Sequence, residues 1–182
     1  MANPNAPFGF RVERNANGDH PRVRPYTATA SVAIGSGAVL NLNADGTVSV
    51  WGGTNLNRSK LIGTAATPMT TTATDRTVFV YDNPGEEFVV QCDDKSVTNI
   101  NGLIGRFFTG VSMTSRNSTL NQSISALDAS SGTSVNNSTT LAVFQGIRFS
   151  GEVANIATQS FVRVVVRINP TNHILGTAAT GV

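Results

Sequence analysis

The chain is predicted to be mainly β: a sandwich-, barrel- or β-tulip-like body with an extended N-terminal arm and one short helix. Three observations predict this class. The run from Phe161 to Asn169 places Val162, Val164, Val166 and Ile168 on one face at a period of two, and Phe161, Arg163, Val165 and Arg167 on the other. It is rich in β-branched residues and alternates too regularly for a helix. Charged residues make up only 13% of the 182, so the polar surface is built mostly from Thr, Ser and Asn, which favour turns and strand faces. Short apolar runs are punctuated by Gly, Pro, Asn and Asp. Burying the four aliphatic side chains of the closing run contributes roughly 1.5–3 kcal/mol each, enough to make it the central strand of a sheet.

The organisation expected is an extended arm over residues 1–27 and a single β-rich domain over 28–182, with a candidate subdivision at 68–76. Pro4, Pro7, Pro21 and Pro25 each remove a backbone donor and disfavour helix in the arm. Phe8 and Phe10 flank Gly9 there, and a free arm would leave both rings in water. They are therefore expected to dock, either on the parent domain or on a neighbouring subunit, with the first eleven residues dispensable for folding. Arg11, Arg14, Arg22 and Arg24 make this the most basic part of the chain, interrupted by Glu13 and Asp19.

Ala38 to Leu42 and Thr47 to Trp51 alternate on either side of Asn43-Ala44-Asp45-Gly46, which predicts a β-hairpin with Gly46 at positive φ. Leu61 to Ala66 is the next strand, ended before Pro68. Thr77 to Tyr81 and Glu87 to Cys92 flank Asp82-Asn83-Pro84-Gly85 and read as a second hairpin. Val97, Ile100, Leu103 and Ile104 change to helical spacing, with Asp94 or Ser96 as cap, and give the one expected helix. Phe107-Phe108 is a short strand, and the Ser-, Thr- and Asn-rich stretch from Ser112 to Ser138 is loop-like apart from Ser123 to Leu127. Thr140 to Phe149 precedes the closing strand, and the tail after Pro170 is expected to be loose.

The search for chemistry returns little. The formal charge of +2 comes from a small excess without a Lys/Arg stripe, which argues against nucleic acid. His20 and His173 lack a second ligand at metal spacing and read as solvated. Glu86-Glu87 and Asp93-Asp94 are neighbours that point to opposite strand faces, so neither forms a catalytic dyad; a turn-borne calcium site is the minor alternative. Cys92 is the only cysteine and reads as a small buried hydrophobe at a strand end. There is no Gly-x-Ser-x-Gly elbow, and Gly35-Ser36-Gly37 lacks the lysine and helix of a phosphate cradle. No enzyme and no cofactor are expected. The first residues lack a secretory pattern, and no apolar run approaches the ~20 residues of a membrane helix, so the product is expected to stay in the cytosol of the cell that makes it. Candidate protein-contact residues are Pro4, Pro7, Phe8, Phe10, Arg11 and Arg14 in the arm, with Arg163 and Arg167 on the closing strand. Those two arginines either meet a partner or are solvated or paired with a neighbouring strand's acid.

Three stretches carry a resemblance, in order along nearly the whole chain: Met1 to Arg11, the pair Val78 to Pro84 with Phe88 to Cys92, and Val164 to Asn169. Together they resemble the capsid cement, or head decoration, proteins of tailed bacteriophages. Val39 to Trp51 followed by Leu61 to Ala66 is similar, more distantly, to the strand, turn, strand and glycine pattern of the lambda-type decoration protein. The resemblance implies a non-enzymatic virion protein on the outer capsid surface, a homotrimer clamping major capsid protein subunits, with no nucleic-acid or membrane partner. Ser112 to Ser138 matches no part of that pattern. A carbohydrate-binding or adhesin-like module, with Trp51 and Tyr81 as stacking platforms, is the alternative, ahead of another virion structural subunit.

Overall fold

The computed structural model describes residues 3–53, 60–70, 76–93, 103–133, 142–152 and 160–176. The chain is mainly β. Its strands are β1 (Arg11–Asn15), β2 (Val23–Ala28), β3 (Val39–Leu42), β4 (Val48–Val50), β5 (Leu61–Ala65), β6 (Arg76–Tyr81) and β7 (Glu86–Gln91). The second half adds β8 (Phe107–Phe108), β9 (Gly110–Val111), β10 (Arg116–Asn117), β11 (Gln122–Ser123), β12 (Ala126–Leu127), β13 (Phe144–Phe149) and β14 (Arg163–Ile168). A closed barrel runs β2-β4-β3-β5-β6, and a five-stranded antiparallel sheet runs β1-β7-β14-β13-β8. Two small ribbons are formed in and just before the Ser-rich stretch: β10-β11 within it, and β9-β12, whose first strand precedes it.

The barrel is where local sequence signals are strongest. β3 and β4 pair as the expected hairpin, Leu40 opposite Val50 and Leu42 opposite Val48, with Gly46 at φ +84. Asp45 accepts from the Thr47 N–H at 2.9 Å and from its hydroxyl at 2.7 Å, and those bonds hold its carboxyl below the usual range. Leu40, Val48, Ile62, Val78 and Val80 point inward to form the barrel core. β5 closes against β6 only because Gly63, at φ +141, has no side chain: a Cβ there would lie 1.8 Å from the Tyr81 carbonyl oxygen.

β6 and β7 exist where expected but do not form a hairpin. β6 pairs with β2 and β5 in the barrel, while β7 pairs with β1 and β14 in the sheet. Both edges of each strand are thus taken, and the turn between them carries the chain from one sheet to the other. That turn is closed by Glu86 N–H to the Asn83 carbonyl at 3.0 Å and Gly85 N–H to Asn83 Oδ1 at 2.9 Å. The candidate subdivision at 68–76 and the expected helix lie largely outside the described residues. Leu103 and Ile104, at the helix's far end, sit at a turn closed by Arg106 N–H to the Leu103 carbonyl. A 3-10 turn at Ala129–Ser131, capped by Asp128, is the short helical element seen.

The sheet corrects three further expectations. The arm is extended, but β1 and β2 incorporate its residues into the sheet and barrel, and Phe10 belongs to the core. Its ring is 1% exposed and stacks on Phe144 at 4.4 Å, which meets Trp51 edge-on at 6.0 Å. Removing the first eleven residues would take this ring out of the core. β14 is central, with both edges paired; Val164, Val166 and Ile168 enter the core, and Val165 on the opposite face is also fully buried. The tail is anchored as far as residue 176, with Leu61 N–H bonded to the Asn172 carbonyl at 3.2 Å and Ile174 N–H to the Leu61 carbonyl at 2.7 Å.

Candidate protein-docking face

Strand alternation turns a fixed set of side chains to the side of the five-stranded sheet away from the core. β14 presents Arg163, Val165 and Arg167, while β7 presents Glu87, Val89 and Gln91. Val89 is flanked by Arg11 of β1 and Val165 of β14, and Arg148 of β13 lies opposite Val165 on the far side. A bulge between Val12 and Arg14 lets β1 place both Glu13 and Arg14 near this face.

These groups form two ion-pair clusters, one around Glu87 and one around Glu152. Arg14 Nε meets Glu87 Oε2 at 2.8 Å, and Arg148 bridges Glu13 at 2.9 Å and Glu87 at 3.6 Å. Glu152, from the segment after β13, binds both Arg11 and Arg163. Burial alone would raise the Glu152 pKa, but hydrogen bonds and charge from Arg163 and Arg11 hold it below the usual carboxylate range. The hydrogen bond to Glu87, reinforced by its charge, pushes the Arg14 pKa up. The Phe8 ring lies 5.0 Å from the Arg11 guanidinium and 5.2 Å from that of Arg163, so two cations share one aromatic face or edge region. Arg167 donates through Nε to the amide oxygen of Gln145 at 2.7 Å.

Two of the pairs are layered. Glu87 is 6% exposed beneath an Arg14 that is 55% exposed, and Glu152 is 25% exposed beneath an Arg11 at 59%. In these two pairs the carboxylate lies below the guanidinium group, whereas Arg148 with Glu13 and Arg163 with Glu152 are level. A groove of about 430 Å³ opens beside them, lined by Arg11, Glu13, Val89, Ser150 and Glu152.

Of the contact residues nominated from sequence, Phe8, Arg11, Arg14, Arg163 and Arg167 converge here. Pro4 is exposed and Pro7 half-buried in the preceding strap, which is tied by Asn3 Nδ2 to the Ser160 carbonyl at 3.0 Å and by Ala6 N–H to Gln91 Oε1 at 3.1 Å. Phe10 does not belong to this face, because its side chain turns into the core. Sequence reasoning missed Glu87, Arg148, Gln145 and Glu152. Alternation with Val89 and Gln91 could have placed Glu87; nothing local to Glu152 signals its role.

Elsewhere, Asp82 and Glu86, both fully buried, stand at the two ends of the inter-sheet turn. Tyr26 donates to Asp82 Oδ2 at 2.7 Å, and burial, then that bond, pushes the phenol up to about 12. Arg22 N–H donates to Glu86 Oε1 at 2.9 Å, while burial raises the Glu86 carboxyl. His173 is not solvated as expected. It is 1% exposed, its Nδ1 accepts from Leu175 N–H at 3.1 Å, and burial lowers its pKa to about 4. Cys92 is buried just beyond β7, and burial pushes its thiol up. Trp51 lies in the core and cannot serve as a stacking platform, while Tyr81 is half-buried. Among the described residues, no three His, Cys, Asp or Glu side chains are grouped to hold a metal ion.

Comparison with known proteins finds no matching family model, no matching curated protein and no matching solved structure.

Proposed function

We propose that this protein is a capsid cement, or head decoration, protein of a tailed bacteriophage. It adds to the outer surface of an assembled head as a homotrimer and ties neighbouring major capsid protein subunits together. It acts by binding, without catalysis or a cofactor.

One observation carries the reading. Five residues nominated as contacts from widely separated parts of the chain, Phe8, Arg11, Arg14, Arg163 and Arg167, share one face of a rigid five-stranded sheet. The sequence resemblance supplies the partner class. A face on paired strands holds its donors in place before binding, so little ordering cost is added on association. Repetition over a symmetric shell then multiplies an interface worth about 2–4 kcal/mol per copy. Burial of Trp51 removes one of the two stacking platforms, Trp51 and Tyr81, on which the carbohydrate-binding alternative relied.

The test is reconstitution. Purified protein is added to heads that lack it, and co-sedimentation and resistance to heat or chelator are measured. Saturable binding with raised resistance is expected, and a failure to bind overturns the reading.

A further inference from the structure

We infer that the partner surface opposite the sheet face is acidic, and that the face recognises protein carboxylates through its excess of arginines. This rests on the docking role proposed above and adds the chemistry of the contact.

The inference follows from the layering and the charge count. Five arginines, at 11, 14, 148, 163 and 167, stand with three glutamates, at 13, 87 and 152, and leave an excess of two positive charges. The whole chain carries a formal net charge of +2, so the excess on this one face equals that of the entire molecule. Glu87 and Glu152 are the more deeply buried members of their pairs with Arg14 and Arg11, so at those two positions an approaching surface meets a guanidinium group first. Each guanidinium carries five N–H donors in a planar fork, more than a single carboxylate beneath can engage. Pairing from below therefore orients the fork while leaving capacity for a second acceptor above.

Arg167 is the sharpest point of the pattern. Its partner is the neutral amide of Gln145, and among the described residues no carboxylate lies within ion-pairing distance of it. Its positive charge is thus not neutralised within the face, and a carboxylate on the partner would complete it. Val165, between Arg163 and Arg167, supplies a dry floor. Nucleic acid fits less well. A polyphosphate needs a run of unneutralised cations, whereas here Arg11, Arg14, Arg148 and Arg163 already share carboxylates that would repel phosphate.

The experiment uses the full chain and three variants. Arg167→Glu reverses the uncompensated charge. Gln145→Glu gives Arg167 an internal carboxylate and so competes with the partner without removing any arginine. Arg76→Glu, at an exposed barrel position, is the control. Binding is measured to heads, to poly-L-glutamate and to duplex DNA across a salt series, with thermal melts confirming that each variant folds. We expect Arg167→Glu and Gln145→Glu each to weaken binding to heads and to poly-L-glutamate roughly ten-fold, with Arg76→Glu unchanged and added salt weakening the wild type.

Wild-type binding to heads that neither variant weakens overturns the inference and leaves the docking role standing. Failure to bind heads, with poly-L-glutamate still bound in an Arg167-dependent way, overturns the docking role and supports the carboxylate recognition. No binding to poly-L-glutamate, or tighter binding to duplex DNA than to it, overturns the inference.

Discussion

Replacing Phe10 by alanine is the most direct test of whether the leading segment belongs to the body of the protein. The ring is 1% exposed, stacks on Phe144 at 4.4 Å and lies among residues contributed by both halves of the chain, including Trp51, Phe88 and Val166. Truncating a buried phenylalanine costs about 3–5 kcal/mol, the sum of lost transfer energy and the cavity left behind. Collapse is hindered here because the preceding backbone is pinned: a Cβ on Gly9 would lie 2.8 Å from the Gly37 carbonyl oxygen, and Phe10 N–H bonds that same oxygen at 2.9 Å. The upper half of the range is therefore expected, against a total stability of about 5–15 kcal/mol for a domain. At about 2–4 °C per kcal/mol for a chain of this length, the melting temperature falls by roughly 8–20 °C. Urea titration with calorimetry measures both quantities. A loss under about 1 kcal/mol with an unchanged near-ultraviolet spectrum would refute the placement of Phe10 in the core.

Two further outcomes follow from buried groups. Gly63→Ala forces a Cβ to 1.8 Å from the Tyr81 carbonyl oxygen, at a φ of +141, so β5 and β6 must separate. A loss of about 3 kcal/mol or more is expected, and a soluble variant with wild-type melting behaviour would contradict the β5–β6 approach. The second concerns acid. Burial lowers the His173 pKa to about 4 from 6.5, so the contribution of neutral His173 is present above pH 6.5 and is lost as pH falls through about 4. That amounts to about 3 kcal/mol by pH 4. Glu86 runs the other way: its raised pKa favours the fold in acid, and that share disappears as pH rises through the raised value. Stability curves against pH for the wild type and His173→Asn, whose Oδ1 retains an acceptor for Leu175 N–H, isolate the histidine; parallel curves would show it to be exposed.

The sequence alone determined what depends on neighbouring residues. The β3–β4 hairpin was legible because Asn43 to Gly46 is a turn by its own chemistry and because Leu40, Leu42, Val48 and Val50 alternate on either side of it. Period-two spacing likewise placed Arg163 and Arg167 on the opposite face from Val164 and Val166.

Tertiary structure decided the rest. The turn after β6 looks like a hairpin turn, yet β7 pairs with β1, from near the start of the chain, and β14, from near its end, because those strands complete a larger buried face than β6 could offer. His173 read as a surface residue, and the choice for Phe10 between its own domain and a neighbouring subunit stayed open, because their burial comes from distant segments. Glu152 joins Arg11 to Arg163 across 141 and 11 positions in sequence, a pairing without any local pattern. Alternation says which way a side chain points. Which strand lies beside it, and so whether an arginine meets a carboxylate or an amide, is settled when the chain finds the pairing that buries the most apolar surface.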